Sequence, residues 1–159
     1  MRPHDSRLST TAILLSRGIR CVVLHPDDDD GATLTNHLRR MGFKVQAFWP
    51  IPERLPADTD LIFYALQSDN PEPDVSWLNL SKHVLIAVIA YENPTFIDQT
   101  ISMGAGATIT TPIRSSGLLS AMVFALHHAQ QQRQMSDRIE RLEKKMLGIR
   151  QVSEAKAIL

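Results

Sequence analysis

Cysteine is close to absent from this chain of 159 residues: Cys21 stands alone, so no disulfide can close within it. A single thiol opening an apolar run reads as a small buried hydrophobe in a reducing cytoplasm, which excludes the disulfide-built secreted scaffolds. Long hydrophobic runs are missing as well. The N-terminal one, Ala12-Ile13-Leu14-Leu15, is too short for a signal or membrane segment. Residues 1–18 therefore read as a leader that packs on the body of a soluble cytoplasmic protein. No internal repeat is found. Nor is there a nucleophile–base pair, a metal-ligand spacing or a cofactor motif, so neither catalysis nor a bound cofactor or metal is expected.

Two short patterns imitate sites without their context. Gly104-Ala105-Gly106-Ala107 precedes a strand instead of leading from a strand into a helix, so it reads as a helix cap and turn, not a phosphate loop. His127 and His128 are adjacent on a helix and cannot share one face as an i, i+4 metal pair would.

Net charge is missing too, with 17 Lys/Arg against 17 Asp/Glu, but the balance is uneven. From Arg114 onward eight Lys/Arg face four acids. That leaves nine basic and thirteen acidic residues before it, an acidic body of −4 carrying a basic tail of +4. Such asymmetry fits nucleic acid or an acidic partner at the tail, and equally fits a solvated helix face.

What is present is an ordinary globular composition, 43% apolar and 21% charged, on enough length for one domain and an appendage. Near-continuous apolar runs at Ile19–Leu24, Thr59–Leu66 (entered through Asp60) and His83–Ala90 read as parallel strands buried on both faces. Phe43–Phe48 and Ala107–Thr110 add two more. A helix is expected from about Asp29 to Met41, where Leu34, Leu38 and Met41 recur at helical spacing before Gly42. Its first turn takes the later members of the Asp27–Asp30 run, which reads as a solvated loop or as a displaced metal cluster. A short helix is expected around Val75 to Leu80. Another starts at Asn93-Pro94, with Phe96, Ile97 and Ile101 facing inward. The three prolines of Trp49–Pro56 argue for a loop that leaves Trp49 and Ile51 exposed. The alternation predicts an α/β fold, a doubly wound five-stranded parallel sheet. Trp49, Ile51 and Tyr91 follow strand ends, where partners bind in such sheets, and form a candidate partner face.

From Ser115 the pattern changes. Ser115 or Ser116 is positioned to cap a helix that meets no further proline. Unbroken to Leu159, it would be roughly 65 Å long, more than a body of this size can cover. Its second part, residues 130–152, carries Met135, Ile139, Leu142, Met146 and Ile149 at spacings of 4, 3, 4 and 3. That is the seam of a coiled-coil homodimer, with Asp137–Arg141 and Glu140–Lys144 as i, i+4 pairs beside it.

Residues 19–129 resemble a response-regulator receiver domain of the CheY/flavodoxin-like fold, by the spacing of strand ends. In receivers the first strand ends in an acidic pair that binds magnesium; here His25 and Pro26 hold those places. The phosphoacceptor position is Ala65, the Thr or Ser closing strand four is Ile89, and the lysine before the last proline is Thr111, with Pro112 retained. Phosphoryl transfer needs an acceptor and charge neutralisation, and an alanine, an isoleucine and a threonine supply neither. The resemblance is to a pseudo-receiver.

A pseudo-receiver with Trp-Pro-x-Pro after strand two and then a coiled coil is similar to the ANTAR-type transcription antitermination regulators, the amidase-operon kind in particular. In that family a three-helix RNA-binding unit opens with a Gln/Glu-Ala-Lys-x-x-Leu pattern. Glu154, Ala155, Lys156 and Leu159 match it, so residues 153–159 read as the start of that unit, in a truncated chain or a shortened relative. The resemblance implies a homodimer, RNA bound in a leader transcript, and control by a ligand-sensing protein of the periplasmic-binding type. The rival reading from a different class is a dimeric pseudo-receiver adaptor with no nucleic-acid role.

Overall fold

The apolar runs become the middle of a single sheet. The computed structural model describes residues 9–69, 74–79 and 82–157. Its elements are α1 (Thr10–Ser16), β1 (Arg20–Leu24), α2 (Asp29–Arg40), β2 (Lys44–Phe48), β3 (Leu61–Ala65), β4 (Val84–Ile89), α3 (Pro94–Ser102), β5 (Ala107–Thr110) and α4 (Leu118–Ala157). All strand pairs are parallel, in the order β2-β1-β3-β4-β5. Every residue of β3 and β4 is buried, as central strands covered on both faces require. Each fully buried Leu or Ile there contributes roughly 1.5–3 kcal/mol of burial energy. Among the described residues, no helix is long and apolar enough to cross a membrane.

Two units emerge, one running through His127 and the other starting at His128. In the first, α2 is capped by Asp28, whose carboxylate accepts from the Gly31 N–H at 2.8 Å. Asp29 and Asp30 lie in its first turn and His37, Arg39 and Arg40 in its last, the arrangement a helix dipole favours. The opening turns of α4 join the core through Leu118, Met122 and Ala125. Gly106 permits that approach, since a Cβ on it would lie 3.1 Å from the Ala125 Cβ.

Several details depart from the sequence reading. No helix forms over the described part of 75–80: Asp74 Oδ1 accepts from the Ser76 N–H, and Leu78 N–H donates to Val75 C=O, so turns replace it. An aspartate that bonds its own backbone two residues on competes with helix initiation; Leu80 lies outside the described residues. In α3 the inward positions are Phe96 and Thr100, while Ile101 points outward at 69% exposure. The stripe through 96, 100 and 103 fills the inward face, leaving 101 a quarter-turn away. α4 begins at Leu118 rather than beside Ser115 or Ser116. Gly117, at φ +83°, supplies the first carbonyl to Ala121 N–H, a conformation glycine adopts freely. The leader forms a short helix capped by Ser9, in which Ile13 and Leu15 are more than a third exposed.

Cys21 sits in β1 with its thiol pushed up to about 12, first by burial and then by the charge of Asp60. Against the ordinary value of 9.0, that lowers the thiolate fraction roughly a thousandfold near neutral pH. The folded chain is expected to resist thiol-labelling reagents at mildly alkaline pH and to react only on unfolding. A Cys21 that labels as fast in buffer as in denaturant contradicts its placement in the sheet.

Candidate functional site

In a doubly wound sheet the carboxyl ends of the strands gather side chains from several elements at one rim. His25 follows β1, Ala65 ends β3, Ile89 ends β4 and Thr111 follows β5. Ala65 pairs in register with Val88, and Ile89 with Thr110, so Ala65 and Ile89 come to neighbouring strand ends. Both are buried. The Thr111 hydroxyl donates to the Ala90 carbonyl at 3.4 Å, and its N–H to Ile89 C=O at 3.0 Å. A short β-branched hydroxyl held by backbone does not reach across the rim as a lysine does.

The His25 imidazole is tucked inward. Its Nδ1 lies 3.0 Å from the Pro26 carbonyl and 3.2 Å from Asp28 Oδ1. Two oxygen acceptors on one nitrogen make that nitrogen the proton carrier. Gly31 closes over the ring: a Cβ there would meet Pro26 O at 2.7 Å and His25 Nδ1 at 2.8 Å. Asp28 is engaged by the α2 cap and this imidazole. Among the described residues no group of three His, Cys, Asp or Glu side chains converges as a metal ion requires. At the rim an alanine stands at 65 and a threonine at 111.

The candidate partner residues are not brought together. Trp49 is 42% exposed on the rim of a cleft of about 410 Å³, shared with His25, Asn36, Arg39 and Phe48. Tyr91 is 55% exposed and packs edge-on against Phe96, ring centroids 5.3 Å apart. It follows β4, three strand positions from β2, roughly 14 Å across the sheet. Ile51 turns inward and packs on the core cluster with Leu55 and Trp77. Sequence reasoning missed Asn36 and Arg39; their i, i+3 spacing beside the buried Thr35 and Leu38 was the available signal.

In the second unit Met135, Ile139, Leu142, Met146 and Ile149 are each 54–68% exposed along one stripe of α4. Neither Asp137–Arg141 nor Glu140–Lys144 closes within ion-pair distance; the ion pairs among the described residues are Arg20–Asp58 and His25–Asp28. Exposed pairs of this kind gain too little to hold two long side chains in one geometry. The backbone of 154–156 continues α4, and Leu159 lies outside the described residues.

Residues 19–126 match the family model described as "AmiR, N-terminal". The chain belongs to the AmiR N-terminal family. Over 156 residues it is 25% identical to the aliphatic amidase regulator of Pseudomonas aeruginosa, a stretch covering 96% of this chain and 80% of that protein. Among solved structures it is similar to a CheY-like response-regulator receiver domain protein from Methanospirillum hungatei JF-1. There the TM-score is 0.52 at 17% identity, covering 72% of this chain and 98% of that one. The signal receiver domain of a modulated diguanylate cyclase from Desulfovibrio desulfuricans G20 gives 0.55 at 12% identity, covering 71% and 97%. These two likenesses carry the receiver fold. Within the AmiR N-terminal family, this member combines that fold with apolar or satisfied side chains at its strand ends.

Ala65→Asp tests how far the rim is from phosphate chemistry. The new carboxylate is buried without a cation, at an expected cost of about 3 kcal/mol or more in urea unfolding. Incubated with magnesium and acetyl phosphate, the variant is expected to show no mass gain. Uptake of one phosphoryl group contradicts the account of the rim.

Proposed function

We propose that this chain is the pseudo-receiver and coiled-coil portion of an ANTAR-type transcription antitermination regulator that works without phosphorylation. The reading rests above all on one combination: membership of the AmiR N-terminal family together with a receiver fold whose strand ends hold His25, Ala65, Ile89 and Thr111. In this reading the body is a non-enzymatic docking module. The α4 seam pairs two copies, and the RNA-binding unit follows the coiled coil, opening at Glu154-Ala155-Lys156. A ligand-sensing protein controls the dimer by holding or releasing it, with Trp49 and Tyr91 as exposed aromatic candidates for that contact. The activity is tested by transcription in vitro across a leader terminator, with this chain extended by its RNA-binding unit. Read-through that does not change on adding the protein overturns the antitermination reading and favours a pseudo-receiver adaptor.

The seam is short. Each side chain buried in it yields roughly 1.5–3 kcal/mol, against association costs of several kcal/mol, so body faces share in holding the dimer. The double substitution Ile139→Asp with Met146→Asp is expected to give a monomer with a folded body by light scattering and circular dichroism. A dimer that persists removes the seam from the account.

A further inference from the structure

The seam has a neighbour of different chemistry. Gln134, Arg138, Arg141 and Lys145 recur at spacings of 4, 3 and 4, which places them on one face of α4. They form the outer wall of a groove whose seam side, Met135 and Leu142, is covered when two copies pair, so that the basic wall is what stays open. Glu140 and Glu143 fall on other faces, while Asp137, four residues before Arg141, borders the stripe; no ion pair to Arg138, Arg141 or Lys145 forms among the described residues. All three cations are exposed.

We infer that this basic groove binds the phosphate backbone of single-stranded RNA, making the coiled coil itself part of the RNA footprint. The inference rests on the RNA-regulator reading above and extends it to residues outside the expected RNA-binding unit. Charge decides between occupants. In a parallel, in-register pair, Arg138 faces Glu143 of the second copy and Lys145 faces Arg150 of the second copy. The first contact is attractive. The second sets like charges side by side, and a polyanion lying in the groove relieves them. Arg141, one position further from the seam, has no such contact, so it and Lys145 are the cations left for an external ligand. The two-fold symmetry of the pair puts one such groove on each side of the coil. Contacts of this type read no sequence and release counterions on binding.

The test is fluorescence anisotropy of a labelled oligouridine with this chain, titrated across salt. Two to three phosphate contacts give a log–log salt slope of about −1.5 to −2, a loss of affinity of roughly tenfold between about 50 and 200 mM. Arg141→Gln with Lys145→Gln is expected to remove most of that slope and to weaken low-salt binding about tenfold. Glutamine keeps the helix propensity of both positions within a few tenths of a kcal/mol, and unchanged circular dichroism confirms the fold. The control Lys44→Gln with Lys82→Gln removes the same charge from the body and is expected to bind like the parent. Equal losses in the two variants reduce the effect to net charge and overturn the groove. RNA binding with an unaltered slope in the Arg141/Lys145 variant overturns the groove while leaving the RNA-regulator reading intact. Polyglutamate competing as well as RNA overturns it in favour of an acidic protein partner.

Discussion

Two adjacent strands with every side chain buried, β3 and β4, are the constraint on which the body depends. Parallel strands of this kind survive only between two layers of cover, so the chain must cross from face to face between them. The connections bring the carboxyl ends of β1, β3, β4 and β5 to one rim. The same geometry that gives other receiver-fold domains their reaction centre here gathers an imidazole held by backbone and a carboxylate, an alanine, an isoleucine and a threonine. A fold places a site without dictating its chemistry.

Most of the body was legible because burial on both faces writes itself as unbroken apolar runs. The five strands and a helix from about Asp29 rest on local signals: run length, an acidic cluster at a helix start, and Gly42 at its end, whereas the strand order and the Asp28 cap are seen only in the structure. Readings failed where the deciding contact was tertiary or competed with a propensity. Around Val75, the Asp74 side chain captures the backbone for a turn, a choice composition alone does not reveal. Ile101 looked inward because it is apolar, but the face of α3 was already taken by Phe96 and Thr100. The start of α4 slid to Leu118 because Gly117 could adopt a left-handed backbone that either serine would resist.

The candidate site was legible in a different sense. Which residue types stand at the strand ends followed from spacing alone, whereas what they do instead of chemistry needed coordinates. Nothing in the sequence around His25 says that its ring is folded under the start of α2. The close approach of Gly31 to Pro26 and the imidazole is what fixes it there. Likewise the apolar stripe of α4 was readable from its spacing, while the basic groove beside it emerged only when the expected helix-surface ion pairs were found open.

The packing at the rim also bears on how such a protein can change over time. A return to phosphate control needs an acid at 65, a cation at 111 and a freed carboxylate near 25 and 28, together with room for a metal. Taken singly, the acid at 65 is buried without its counter-charge and freeing Asp28 undoes the cap of α2, and neither yields chemistry until the other changes are present. An intermediate that gains the acid first is therefore less stable than its predecessor and gains nothing in exchange. The filled rim acts as a ratchet, and any new means of switching this domain has to be built on its outer surfaces.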